Sequence, residues 1–529
     1  MSNNPAQKKE WAALKKLSHD LKNIHLNDLF EKDSERFHDL SLNIDNLFFD
    51  YSKQRVTPEI ITTLIALLQN SNFEKRRDDM FNGEIINHTE QRAVLHTALR
   101  RPKNDDVRVD GENIMPQIHS TLKKIEKFSN DVRNGKHLGA TGKPITKIIS
   151  IGIGGSDLGP RLISDALSIN ADTDDQIINT SYVSNIDSHD LKSALDNTDP
   201  EQTLFVIISK SFTTQETLTN GLSARQWMVD HLPDNADISK HFIAVSSNIA
   251  AVEEFGIAKE NIFPMWEWVN GRFSLWSAVG LPICLQHGFQ KFKDLLDGAS
   301  QMDKHFLNAP LDQNIPVLMA LIGVWNRSFL NLPHLAILPY AQSLKYFPAY
   351  LQQLEMESNG KTIDNDGQPI TDYDTAPVLF GEIGTNGQHS FYQLLHQGSE
   401  DIPCDFIGFI KDKNNIPHHH DLLLNNMLAQ SQAMMQGQHN PDEAYRYFEG
   451  NKPSSTLLIK EPNAFSLGQL IALYEHKTLT QGVLWNINSF DQYGVELGKD
   501  LSRKLEKQDL SNADPSTRGL YSFIHKSNK

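Results

Sequence analysis

Lys147-Ile148-Ile149-Ser150-Ile151-Gly152-Ile153-Gly154-Gly155-Ser156-Asp157-Leu158-Gly159 joins a short apolar run to a glycine-rich turn and then to the start of a helical pattern. Such a run bounded by glycine reads as a buried strand, and glycines ahead of a helix let a ligand approach backbone amides. The third glycine of the dinucleotide fingerprint is missing, with Asp157 in its place. The turn is therefore either a loop for an anion or polar sugar oxygens, or simply a tight strand-to-helix connection. The same texture continues downstream. Apolar runs at 177–183, 204–208 and 242–245, each followed by a helical stretch, predict a parallel, doubly wound sheet. A second series at 335–338, 378–383, 406–410 and 456–459, with helices at 315–331, 421–436 and 466–479, predicts a second α/β domain rather than one larger sheet.

Around these two series the chain is helical in pattern. Trp11, Leu14, Leu17 and Leu21 recur at helical spacing, as do Ile60, Ile61, Leu64, Leu67 and Leu68 after Pro58, and a helix over 115–134 stops at Gly135. The charged tail beyond Ser502 continues a helix until Asp514-Pro515 breaks it. At 529 residues the chain exceeds one hydrophobic core, and its 39% hydrophobic and 22% charged residues are those of an ordinary globular protein. A formal charge of -16 disfavours nucleic acid and anionic membrane surfaces as partners while leaving room for a small anion held by local cations and amides. Cys284 and Cys404, the only cysteines, have no metal-ligand spacing and form no disulfide framework. The first residues lack an apolar signal core, and no stretch approaches the roughly 20 apolar residues of a membrane span. The expectation is a cytoplasmic protein.

Several segments carry chemistry. Ser209-Lys210-Ser211-Phe212-Thr213-Thr214-Gln215-Glu216-Thr217 gathers hydroxyls and an ammonium at a helix start, as a phosphate clamp requires. Thr213 and Glu216 also spell a capping box, which leaves Ser209, Lys210 and Ser211 unexplained. Asn270-Gly271-Arg272-Phe273-Ser274 lies between the two α/β series, where an arginine either stabilises developing negative charge or ties domains together. Phe347-Pro348 to Asn359-Gly360 describes a helix over about 347–358, with Gln353 and Glu357 four residues apart on one face. Alone, that end reads as solvated, with Glu357 paired to Lys361. His389 follows a strand in a glycine-rich turn and can exchange a proton near neutral pH. His418, His419 and His420 do not converge on one ion, and a helix start at Asp421 accounts for them. Lys499 pairs with Glu496 on one helix face or points into a site. Gly360-Lys361-Thr362 lacks the upstream glycine of a P-loop, glutamate standing at 355.

Taken in order, Gly154-Gly155-Ser156, 209–217, Gly271-Arg272-Phe273-Ser274, 353–361, 385–389 and 490–499 resemble the glucose-6-phosphate isomerase, or phosphoglucose isomerase, family over nearly the whole chain. The resemblance implies two doubly wound parallel-sheet sugar-isomerase (SIS) domains in an α/β fold. The implied divisions are an N-terminal helical region at 1–115 packing on the second domain, a first domain at 116–284, a larger second domain at 285–501, and a C-terminal helical arm at 502–529. It also implies interconversion of glucose 6-phosphate and fructose 6-phosphate, a step of glycolysis and gluconeogenesis, without metal or organic cofactor, by a homodimer. By motif, Glu357 resembles the base between C1 and C2, Arg272 the stabiliser of the enediolate, and His389 with Lys499 the pair that opens the sugar ring. The family's histidine comes from the neighbouring subunit. Ser209, Ser211 and Thr214 with the Lys210 backbone resemble the phosphate pocket, and Gly155, Ser156 and Gln353 the sugar contacts. Asn270, Ser211 and Tyr493 depart from the family's usual glycine, threonine and tryptophan. Asparagine tolerates left-handed backbone angles, so the turn at 270 is expected to persist. An isomerase for another phosphosugar and a non-catalytic sugar-phosphate binder are the competing readings.

Overall fold

A computed structural model describes residues 3–527 apart from 23, 173, 174 and 415. Each expected strand is present, its ends moved by one or two residues. The first sheet is entirely parallel, in the spatial order Asn179–Val183, Lys147–Ile151, Thr203–Ile208, Phe242–Ser246 and Ile262–Pro264. Apart from Lys147, its inner strands are buried because helices cover the sheet, as Ile149, Phe205 and Ile207 packing with Ala224 and Met228 shows. The edge strand Ile262–Pro264 is absent from the sequence reading. It is three residues long and ends in a proline, which only a sheet edge accommodates.

The second sheet has four parallel strands in the order Ser454–Ile459, Cys404–Phe409, His334–Tyr340 and Val378–Gly381. A hairpin, Ser41–Ile44 and Leu47–Asp50, extends it, with Leu47–Asp50 antiparallel to Ser454–Ile459. That hairpin interrupts the helical N-terminal region. Its short aromatic strand, with Phe49 fully buried, gains its stability from the sheet it joins rather than from its own sequence.

Between the elements runs helix Ala464–Leu484, buried along almost all of its length. A helix buried on every side must also satisfy its polar side chains inside the protein. Glu475 accepts from Arg100 Nη1 at 2.8 Å and from Trp276 Nε1 at 2.7 Å, and Lys477 donates to Glu355 Oε2 at 2.6 Å. Arg100 also forks onto Asp303 at 2.7 and 2.6 Å, and His476 meets the same carboxylate at 2.7 Å. Burial pushes the Glu475 carboxyl up to about 7 against the pull of Arg100. At Asp303 burial acts upward too, but the charge of Arg100 and the hydrogen bonds from His476 and Arg100 outweigh it and hold the carboxyl below its ordinary range.

The chain divides into two compact units, Met1–Ser489 and Phe490–Lys529. In the second, helix Glu496–Glu506 is followed by helix Pro515–Ser527. Asp514-Pro515 therefore opens a helix as well as separating two. The Asp514 carboxylate accepts from the amides of Ser516 and Thr517 at 2.9 and 3.1 Å, and proline suits the first helical position. Among the described residues no helix is long and apolar enough to cross a membrane.

Asp303→Asn should cost about 3–5 kcal/mol by leaving the buried Arg100 short of a counter-charge, read as an earlier urea midpoint at neutral pH. A depressed carboxyl contributes stability above the ordinary carboxylate pKa and loses it as the pH falls. The gap between the wild type and the variant should therefore narrow below about pH 4. A gap unchanged by acid would contradict this.

Candidate active site

Two turns from different parts of the chain touch back to back. The strand Lys147–Ile151 runs out into the 3₁₀ turn Gly154–Ser156, and the 3₁₀ segment Gly271–Trp276 lies against it. A Cβ at Gly155 would overlap the Gly271 carbonyl, so glycine there is a requirement of close approach. Gly154, at φ +61, leaves room for the Gln353 amide, which a side chain there would meet at 2.9 Å. Asp157 faces inward: 5% exposed, it pairs with Arg161 at 3.0 Å. Burial raises its carboxyl against that arginine. The residue that breaks the dinucleotide fingerprint thus braces its own helix. Asn270 has φ -78 and ψ 148, ordinary extended backbone, and leads into the 3₁₀ segment, so the turn persists without a left-handed residue.

The hydroxyl cluster sits between strand Thr203–Ile208 and helix Gln215–His231. Ser209 Oγ donates to Thr214 Oγ1 at 3.2 Å, and Ser211 and Thr213 hydroxyls lie 2.7 Å apart. Phe212 is buried at φ +52, a strained conformation for a bulky residue, and it packs into the core of the first sheet while its neighbours stay near the surface. The capping box is not formed: Thr214 is the N-cap residue and makes no side-chain cap bond. The Lys210 ammonium does not join the hydroxyls. It donates to the carbonyls of Glu267 and Val269 at 3.0 and 3.1 Å and pairs with Glu267 at 3.3 Å. Burial lowers its pKa, with Glu267 acting against that. What Lys210 brings to the cluster is backbone, its own carbonyl being fixed by Ser246 and Ser247 hydroxyls at 2.9 and 2.8 Å.

Arg272 has no exposed side-chain surface. Its Nε donates to Ser358 Oγ at 2.6 Å, its Nη2 to the Ser489 carbonyl at 2.6 Å, and its Nη1 lies 3.5 Å from Glu357 Oε2. Glu357 closes a π-helical turn, Gln352–Glu357, that continues helix Phe347–Leu351. The expected helix is therefore real but widened where its two polar residues stand, as π turns at functional sites often are. Glu357 meets Arg272 rather than solvent. Its side chain is 20% exposed, yet Oε2 is buried and accepts no hydrogen bond. A carboxylate oxygen with a cation beside it and no donor on it retains a lone pair for a proton.

His389 is the exposed last residue of the 3₁₀ turn Asn386–His389, and its ring makes no hydrogen bond or ion pair among the described residues. Lys499 is exposed on helix Glu496–Glu506 in the second compact unit, and the pair with Glu496 is not formed. The histidine-rich helix starts at His419, two residues before Asp421, with His420 Nε2 3.0 Å from the Ile410 carbonyl. Among the described residues no cluster of His, Cys, Asp or Glu has the make-up of a metal site. Sequence reasoning missed Ser358 and Ser489, which grip Arg272, and Asn359, read there only as a helix stop.

The family model described as phosphoglucose isomerase matches residues 50–521. The chain is 48% identical to glucose-6-phosphate isomerase of Pseudoalteromonas translucida (strain TAC 125), covering 98% of each sequence. It is also 48% identical to that of Deinococcus radiodurans, over 96% of this chain and 94% of the relative. The crystal structure of a glucose-6-phosphate isomerase from Chlamydia trachomatis D/UW-3/Cx is similar with a TM-score of 0.88 at 33% identity, covering 99% of both chains.

Because the Lys210 ammonium is spent on carbonyls, Lys210→Met should leave affinity for a phosphate ester nearly unchanged in calorimetry. Ser211→Asp should weaken it by about tenfold or more, since a hydrogen bond to a charged group is worth about 1.5–3 kcal/mol and a carboxylate repels the anion. The opposite ranking would remove the hydroxyl cluster as the anion site.

Proposed function

The chain belongs to the phosphoglucose isomerase family and is an aldose–ketose isomerase of glucose 6-phosphate and fructose 6-phosphate, and on that premise we propose how its residues divide the work. Glu357 is the base. A proton α to a carbonyl is too weakly acidic for a free carboxylate, so its removal needs the oxyanion stabilised as it forms. Arg272 supplies that stabilisation from a position already desolvated. The observation that carries this reading is the buried, donor-free Glu357 Oε2 lying 3.5 Å from a fully buried guanidinium.

On this reading the open-chain sugar lies with C1 and C2 over Glu357, which takes the proton from one carbon and returns it to the other on the same face of the planar enediolate. Ser209, Ser211 and Thr214, with the Lys210 backbone, hold the phosphate at the far end, so the reacting carbons are held in place without crowding the base. Gly155, Ser156 and Gln353 contact the sugar between, where Gln353 already faces Gly154. His389 and Lys499 open the ring by moving protons between its oxygen and hydroxyl. His389 is given to the site of a second copy of the chain, which agrees with its exposed, unpaired ring. A homodimer in the cytoplasm is the working form, and the sugar-isomerase domains span 116–284 and 285–501, flanked by the 1–115 region and the 502–529 arm.

One set of variants tests both halves of this reading. Glu357→Gln should bind fructose 6-phosphate yet lose solvent deuterium exchange at C1; exchange at the wild-type rate would remove Glu357 as the base. His389→Ala should also be inactive as a homodimer. Co-expressing the two should restore about a quarter of wild-type activity, because half of randomly assorted dimers are mixed and each mixed dimer rebuilds one of its two sites. If His389 served its own chain, no activity would return.

A further inference from the structure

Three consecutive residues at the end of the base helix address the guanidinium of Arg272. Glu357 lies beside Nη1 at 3.5 Å and Ser358 Oγ accepts from Nε at 2.6 Å. Nη2 goes to the carbonyl of Ser489, and the Ser489 hydroxyl is in turn fixed on Asn359 Oδ1 at 2.7 Å. Asn359 has no exposed surface. Its Nδ2 donates to the Thr478 carbonyl at 3.0 Å and to Gln481 Oε1 at 3.3 Å, both on the buried helix Ala464–Leu484. Every polar atom of the Asn359 side chain is thereby spent on holding segments together. A solvated helix stop would need none of these bonds.

The packing around this hub agrees. A Cβ at Gly482 would run into Ser489 Oγ and lie 3.4 Å from Asn359 Oδ1. The buried helix therefore keeps a bare backbone where the Ser489–Asn359 hydrogen bond passes. The glycine and the amide serve one contact, and that contact fixes the carbonyl on which Arg272 rests.

We propose that Asn359 is a positioning residue, which through Ser489 sets the angle of the Arg272 guanidinium against the Glu357 carboxylate and so times oxyanion stabilisation to proton transfer. The proposal rests on the assignment of Glu357 as base and Arg272 as oxyanion stabiliser. Asn359 touches neither the substrate nor the transferred proton. Its removal leaves both reacting groups in place and lets the arginine turn, so the loss falls on the chemical step more than on substrate binding.

The test uses full-length Asn359→Ala, Ser489→Ala and Gly482→Ala, assayed with glucose 6-phosphate carrying hydrogen or deuterium at C2. Misplacement of about 1 Å can cost about 100-fold, so kcat should fall by about 10-fold to 100-fold with KM within about twofold. The primary isotope effect should rise as proton transfer becomes slower than the steps around it. Ser489→Ala removes only a hydroxyl and keeps the carbonyl, so it reports even where Asn359→Ala fails to fold. Folded variants with unchanged kcat and isotope effect would overturn the proposal. So would variants whose kcat and KM worsen together with the isotope effect unmoved, since that is the mark of a merely structural amide. Wild-type exchange by Glu357→Gln would instead remove the base itself, so the two failures are distinguishable.

Discussion

A guanidinium with no exposed surface is the constraint on which the rest of this structure depends. Burying an ion costs several kcal/mol unless charge and hydrogen bonds compensate for the lost water. Arg272 obtains them from Glu357, Ser358 and Ser489, which come from two distant parts of the chain. Satisfying one arginine therefore brings the 3₁₀ segment Gly271–Trp276 to the end of the π-helical turn Gln352–Glu357 and to the residue that closes the first compact unit. The same demand places the carboxylate beside the cation, and the proposed mechanism uses that pairing to stabilise an oxyanion.

Helix Ala464–Leu484 supplies the rigid reference for both groups. Glu475 holds Trp276, four residues beyond Arg272, and Lys477 holds Glu355, two residues before Glu357. Two buried polar groups on one helix thus locate the segments that carry Arg272 and Glu357, the residues proposed to react, through their neighbours Trp276 and Glu355. Thr478 and Gln481 add the grip on Asn359. The first sheet's contribution is different. Its strand ends carry the Gly154–Ser156 turn and the hydroxyl cluster, the crevice beyond the carboxyl ends of parallel strands being where α/β folds bind ligands.

The two-sheet architecture was legible because buried parallel strands are near-continuous apolar runs, and those at 148–151, 204–208 and 406–410 hold a single polar side chain among them, Ser150. The hairpin at 41–50 and the edge strand Ile262–Pro264 were not, because short strands take their stability from neighbours that sequence does not display. Within the site, Glu357, Arg272 and the hydroxyls were visible as residue types suited to the chemistry. The roles of Glu357 as base and of His389 and Lys499 in ring opening came from family resemblance alone. Ser489 and Asn359 had no local signal, since their hydrogen bond spans 130 residues of chain. At Asn270 the turn persists as expected, but the residue leads into the 3₁₀ segment with extended backbone and does not use the left-handed angles that asparagine tolerates.

One carboxylate on one face of the substrate is the central claim, and the fate of a C2 label tests it most directly. Glucose 6-phosphate deuterated at C2 is converted in ordinary water, and the fructose 6-phosphate is read by NMR at C1. A single base that can also exchange with water predicts part of the deuterium at one stereochemical position of C1 and the remainder lost to solvent. Deuterium distributed over both C1 positions would contradict proton transfer by a single base on one face.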